Sequence, residues 1–235
     1  MLFPRGLIVS CQALAGNPLR DSGILAHMAK AAELGGARAI RANGVSDIRA
    51  MRRLLNVPII GINKLVDDTG RTVITPTFES ARAVVEAGAD IIALDATFQE
   101  STLREDTAVL IRRIHTELGR PVMADISTAD EAEHACALGA DLVSTTLAGY
   151  QPNHHFPEKE RYVPDFPLIE EILSRKGVTC PVVGEGRFWR IEDMRRGLEM
   201  GLHAIVVGKA ITNPMAITAY YTHGLVDLAQ TETEA

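Results

Sequence analysis

Residues 86–97 read EAGADIIALDAT, and this stretch decides the fold. Glu86 and Ala87 end a helical segment, and Gly88 stands where a helix C-cap favours glycine. Ile91 to Leu94 then form a short apolar run, as expected of a parallel strand buried on both faces. Asp95 places a carboxylate at the strand's far end. The same order of helix end, glycine and strand recurs in ELGGARAIRANG (33–44), ALGADLVSTTLAG (137–149) and EMGLHAIVVGKA (199–210). A second pattern, proline followed by a strand, appears in FPRGLIVSCQ (3–12), VPIIGINK (57–64), RPVMADIST (120–128) and CPVVGEGR (180–187). The two patterns interleave along the chain. They predict eight strands, each followed by a helical segment.

The segments between the strands carry helical periodicity. In IEDMRRGLEMG, Ile191, Met194, Leu198 and Gly201 share one face. In TADEAEHACALG, Thr128 and Glu131 have capping-box spacing, and Ala132, Ala135, Cys136 and Gly139 share a face. Eight strand–helix units without linker composition predict a single-domain (β/α)8 TIM barrel over residues 1–235. An open doubly wound sheet ranks behind it, because it usually has fewer strands and no fourfold repetition. Two segments interrupt the rhythm. LVDDTGRTVITPT after Lys64 predicts a turn and a short extra strand, with Asp67 and Asp68 solvated. QPNHHFPEKERYVPD after Tyr150 is a long polar loop, of a kind often tied to function and a candidate lid over 151–164.

Composition narrows the function. The chain has 235 residues, is 46% hydrophobic and carries a net charge of −6 without a Lys/Arg run. Nucleic acid and anionic membranes are therefore not expected partners. No apolar run reaches membrane length. Only GLIVS separates Arg5 from Cys11, too short for a signal-peptide core. Three cysteines without a CxxC pair predict a reducing compartment, no structural disulfide and no zinc site. The expectation is a cytoplasmic protein, with Cys11 as a small buried residue.

In a TIM barrel, chemistry sits at the C-terminal ends of the strands. Read in order, those ends offer Gln12, Arg41 with Asn43, Lys64, Asp95, Asp125, Thr145 with Thr146, Glu185 with Arg187, and Gly208 with Lys209. The opposite strand ends lack such groups. A polar residue at one strand end is commonly just where chain meets water, but the set as a whole reads as a pocket. Asp125 and Glu185 each lie four residues after a proline, at matching points of related repeats. GEGRFW and VVGKAITNP close strands seven and eight, where this fold usually binds phosphate. Gly186 and Gly208 free backbone N–H groups there, and Arg187 and Lys209 add charge. A lysine among carboxylates and apolar walls serves either as a base with a depressed pKa or as a Schiff-base amine. His154 and His155 are adjacent, so they do not share a ligand direction. Trp189 is expected to pack beside the strand-seven loop.

The runs IVSCQAL, IRANG, PIIGINK, ITPT, GADIIALDAT, ADIST, STTLAGY, GEGR and VVGKAIT, in that order, resemble the N-acetylmannosamine-6-phosphate 2-epimerase family. The resemblance spans residues 7–214. It implies interconversion of N-acetylmannosamine 6-phosphate and N-acetylglucosamine 6-phosphate in sialic acid breakdown, a small amino-sugar phosphate as the only ligand, no cofactor, no metal and a homodimer. Lys64 matches the family's catalytic lysine and Glu185 its essential glutamate. On this resemblance Gln12, Arg41, Asp125 and Thr146 would hold the sugar, with Gly186, Arg187, Gly208 and Lys209 on the phosphate. One base could serve both proton transfers, or two could act from opposite faces. The chain departs from the family pattern at Gly184, where alanine is common before the glutamate, and at Asn213, where arginine commonly precedes the proline; Lys209 could replace that charge. The competing readings are a pentose-phosphate epimerase, a Schiff-base aldolase and a non-catalytic phosphosugar-binding barrel.

Overall fold

The computed structural model describes residues 2–149 and 161–231, with side chains to residue 225. The proposed lid tip and His154 with His155 lie outside the described residues. The strands are β1 (Gly6–Cys11), β2 (Ala39–Asn43), β3 (Ile59–Ile62), β4 (Lys64–Val66), β5 (Thr72–Ile74), β6 (Ile91–Asp95), β7 (Val122–Asp125), β8 (Leu142–Ser144), β9 (Val182–Glu185) and β10 (Ala204–Val207). Eight of them close into a parallel barrel in the order β1-β10-β9-β8-β7-β6-β3-β2. This is the TIM barrel the repeats predicted. The remaining two, β4 and β5, form an antiparallel hairpin on its own.

The buried apolar residues fall into two groups that follow strand alternation. Ile8, Ile60, Ile62, Ile91, Met123 and Val206 fill the barrel interior, and Phe3 joins them. Their neighbours Val9, Ile59, Ile92, Val122 and Val207 face the surrounding helices. That two-sided burial is why the strands read as continuous apolar runs.

The helices are α1 (Ser22–Leu34), α2 (Val45–Arg52), α3 (Phe78–Ala87), α4 (Thr107–Arg113), α5 (Ala129–Ala137), α6 (Phe166–Ser174), α7 (Ile191–Met200), α8 (Lys209–Thr212) and α9 (Pro214–Thr231). Several start on a side-chain cap, including Asp21 for α1 and Thr77 for α3. The predicted capping box of α5 is present, with Thr128 and Glu131 bonding each other's backbone N–H. Gly88 ends α3 at φ 112°, a left-handed conformation that favours glycine.

Four expectations need correction. The segment after Lys64 contains two extra strands rather than one, and Lys64 is the first residue of the hairpin. Asp67 is not solvated: it is 6% exposed and accepts bonds from Thr69, Ser101 and the Arg71 backbone N–H, which hold its pKa down near 2. In α7, Met194 and Leu198 pack half-buried against the core as expected, but Ile191 is exposed and the fully buried residues are Asp193 and Gly197. A Cβ on Gly197 would stand 2.9 Å from Leu202 Cδ1, so the helix turns its smallest residue to the barrel. Finally, Cys136 and Cys180 form a disulfide with Cα atoms 6.1 Å apart. Adjacency of the α5 end and the β9 start produces that pairing, and spacing along the chain does not reveal it. Cys11 is buried, as expected. Among the described residues no helix is long and apolar enough to cross a membrane.

Candidate active site

The barrel gathers the predicted strand-end groups at its C-terminal mouth. Arg41 of β2 reaches Asp125 at the end of β7 with two bonds: Nη1 donates to Oδ1 at 3.1 Å and Nη2 to Oδ2 at 2.5 Å. Both side chains are sealed, at 1% and 0% exposure. The fork geometry suits guanidinium and carboxylate, and each charge compensates the other's burial. Among the described residues Arg41 Nε has no hydrogen-bond partner, and it lies 3.6 Å from Glu185 Oε2. Burial opposes the arginine's charge, yet Asp125 and Glu185 outweigh it and raise its pKa.

Glu185 ends β9. Burial pushes its carboxyl pKa up and Asp125 adds to the rise; Arg41, Thr146 and Lys64 pull the other way without cancelling it. The Thr146 hydroxyl lies 2.7 Å from Asp125 Oδ1, 3.0 Å from Glu185 Oε2 and 2.9 Å from Ser144 Oγ. One hydroxyl carries one proton. It can donate to one of these oxygens at a time, and its bond to Glu185 is among the influences that lower that carboxyl's pKa. Thr145 fixes the Glu185 backbone, its hydroxyl donating to the carbonyl and accepting from the N–H, both at 2.9 Å.

Lys64 follows β3. Its Nζ donates to Gln12 Oε1 at 2.8 Å, and Gln12 Nε2 donates to Ser10 Oγ at 2.8 Å. The Lys64 backbone N–H donates to Asn43 Oδ1 at 2.9 Å. Burial lowers the lysine's pKa, and Arg41 lowers it further; Glu185 and Asp125 oppose this and Lys209 reinforces it. In the closed strand order β3 and β9 are opposite one another. Lys64 and Glu185 therefore enter the mouth from facing walls.

A family model described as "Putative N-acetylmannosamine-6-phosphate epimerase" matches residues 25–226. The chain belongs to this epimerase family. A Caldanaerobacter subterraneus subsp. tengcongensis relative named "Putative N-acetylmannosamine-6-phosphate 2-epimerase" is 49% identical over 214 residues, covering 91% of this chain and 88% of that protein. A solved structure of the N-acetylmannosamine-6-phosphate 2-epimerase from Clostridium perfringens is 43% identical with a TM-score of 0.85, covering 92% of each chain. Thiamine phosphate pyrophosphorylase from Pyrococcus furiosus, at 19% identity and a TM-score of 0.57 over 91% of this chain and 89% of that one, shares the fold alone.

Two departures of this epimerase family member now have structural reasons. A Cβ on Gly184 would stand 2.6 Å from Leu202 Cδ1 and 3.1 Å from the Phe188 ring, so the glycine matches bulky neighbours. Asn213 caps α9: its Oδ1 accepts from the Ala216 N–H at 3.1 Å, and Pro214 occupies the first helical position.

The phosphate candidates lie at the ends of β9 and β10. Gly186 has φ 109° and open space where a side chain would be. Arg187 also has positive φ, 61°, and its Nε donates to Val163 O at 2.6 Å, with Asp165 at 3.8 Å. Gly208 precedes α8, and Lys209 is its exposed first residue. Trp189 stacks on Tyr220 with centroids 4.9 Å apart, packing beside the strand-nine loop as expected. A cavity of about 790 Å³ opens between Phe98, Arg104 and His134, and none of the groups above lines it. Asn43 and Thr145, named among the strand-end groups, support the site from the backbone side, and Ser144 joins them without having been named. Its position beside Thr145 in STT was the available signal.

Proposed function

We propose that this chain interconverts N-acetylmannosamine 6-phosphate and N-acetylglucosamine 6-phosphate by removing and returning the C2 proton of the ring-opened sugar, as a step of amino-sugar breakdown. The carrying observation is that Lys64, just after β3, and Glu185, at the end of the facing strand β9, meet at one mouth with pKa values moved toward each other, in a member of this epimerase family. The C2 proton becomes acidic once C1 is an aldehyde. Ring opening, proton removal, enolate stabilisation and reprotonation on the other face must follow in order. Lys64 takes the proton-transfer role at C2. Glu185, poised to hold a proton, serves ring opening or the second transfer. Their opposed positions support two groups acting from opposite faces of C2. Arg41, with its unpartnered Nε, and Gln12 are placed to stabilise the enolate oxygen. Asp125 and Thr146 hold the arginine and glutamate, and so shape the sugar site.

Gly186, Arg187, Gly208 and Lys209 take the phosphate, with Lys209 supplying charge where Asn213 stands in place of arginine. The residues present need no redox cofactor for this chemistry. Residues 1–235 work as one unit, in the cytoplasm, as a homodimer. Exposed Met215, Tyr221 and Leu225 on α9 offer the second copy an apolar surface. Light scattering should give twice the 25.4 kDa chain mass. Incubation with N-acetylmannosamine 6-phosphate should yield N-acetylglucosamine 6-phosphate. Borohydride should leave activity intact, against a Schiff-base aldolase, and so should a chelator, against a metal-dependent pentose-phosphate epimerase. Binding without turnover would favour the non-catalytic barrel.

A further inference from the structure

Lys64 does not stand on a barrel strand. It opens the β4–β5 hairpin and pairs with Ile74. The far end of that hairpin is tied down: Arg71 Nη2 donates to Asp95 at 2.7 Å, and Ser101 donates to Asp67 at 2.8 Å. Its base is closed by Thr75. The Asn63 N–H donates to Thr75 Oγ1 at 3.0 Å, and the Thr75 N–H donates to Asn63 O at 2.9 Å. Both bonds grip the residue directly before Lys64.

Thr75 is fully buried and has φ 47°. Two facts should keep it extended: it is β-branched, and it precedes Pro76. A glycine or asparagine would adopt the left-handed conformation with less strain. Threonine at this position therefore answers a demand other than backbone ease. Strain of this kind persists where surrounding structure over-determines a residue, and it concentrates at functional sites. The feature a glycine could not supply is the hydroxyl that takes the Asn63 N–H.

We propose that Thr75 is the positioning residue for Lys64, fixing through its hydroxyl and left-handed backbone the register at which the hairpin presents the lysine to Gln12 and the substrate. The proposal rests on the reading of Lys64 as the proton-transfer group.

Thr75→Val keeps the shape and removes the acceptor. It should lower kcat about 10²-fold, the scale of a small misplacement of a reacting group. KM should change less than about twofold. The limb of the kcat–pH profile that Lys64 controls should shift. Thr75→Ser restores the hydroxyl and should recover both kcat and the limb. Thr75→Gly accepts the backbone conformation without strain, so it tests the hydroxyl even if the valine variant fails to fold; it should show the same loss of kcat. Valine or glycine variants with full kcat and an unmoved limb would overturn the proposal, as would a loss that serine does not recover. Lys64→Ala run alongside separates the two failures. An active Lys64→Ala sinks the lysine reading and this proposal with it. An inactive Lys64→Ala beside a normal, folded Thr75→Val or Thr75→Gly sinks the proposal alone.

Discussion

Arg41 and Asp125, 84 residues apart in the chain, form a sealed two-bond ion pair that leaves Arg41 Nε facing Glu185. The pair sets the electrostatics of the whole mouth. It is also exposed to one-sided damage, because removing either partner strips a buried charge of its two-bond counterpart. Asp125→Ala should destabilise the fold by about 3–5 kcal/mol. Urea unfolding checks this: a midpoint unchanged from the parent protein would mean that Arg41 finds other compensation. The same substitution removes the negative charge that helps raise the Glu185 pKa, so any rate limb governed by Glu185 should move to lower pH.

Lys64 and Glu185 are held against the stability of the fold. The folded pKa of Lys64 lies below its ordinary value of 10.5, so its contribution to stability is present above that value and lost as pH falls through the folded pKa. The folded pKa of Glu185 lies above its ordinary 4.5, so its contribution is present below 4.5 and lost as pH rises through the folded pKa. For Lys64 the consequence at neutral pH, well below its ordinary value, is that burying the group weakens the fold. Lys64→Met should therefore match or exceed the parent Tm while losing turnover by about 10²–10⁴-fold. A variant that loses activity and melts markedly earlier would show the lysine to be structural.

Gln12 offers a way to move the lysine without removing it. Gln12→Glu places a carboxylate on the atom that Lys64 Nζ now touches at 2.8 Å. A negative partner favours the ammonium form. If Lys64 acts as the neutral base, the acid limb of its pH–rate profile should shift to higher pH. A profile that stays in place would detach that limb from Lys64.

Gly184→Ala should harm the fold. Its Cβ would enter the space held by Leu202 and Phe188. Overpacking of this kind costs about 1–3 kcal/mol. Pairing the change with Leu202→Val should recover much of the loss, read as Tm of the single and double variants.

Cys11 and the Cys136–Cys180 bridge should behave differently toward reagents. Burial pushes the Cys11 thiol up to about 12, so iodoacetamide should label it only after denaturation. The bridge closes a separation of 44 residues and, on the chain-entropy view, contributes about 3–5 kcal/mol. Since neither cysteine touches the mouth, Cys136→Ala should lower Tm and leave kcat unchanged. Peptide mapping without reductant should recover the linked pair.

The barrel was legible because each of its devices is local. A glycine after Ala87, an apolar run and a polar strand end sit within one short stretch, and their repetition counts the strands. The polar groups at the mouth were legible for the same reason: the fold brings strand ends together, and each such end carries its polar residue within a few positions of the apolar run. What escaped depends on contacts distant in the chain. Nothing near Arg41 reveals that Asp125 occupies it, and nothing near Cys136 reveals Cys180. Asp67 looked solvated beside its turn glycine because Ser101, which helps bury it, arrives from another loop. The left-handed backbone of Thr75 could not be read at all, since both its branching and the following proline argue for the opposite.

Proton NMR of N-acetylmannosamine 6-phosphate in D2O, with the parent protein and with Lys64→Ala, reads whether Lys64 moves the C2 proton as proposed. The parent should give N-acetylglucosamine 6-phosphate carrying deuterium at C2, and folded Lys64→Ala neither product nor C2 exchange. Product and exchange at the parent rate from Lys64→Ala would contradict that role for Lys64.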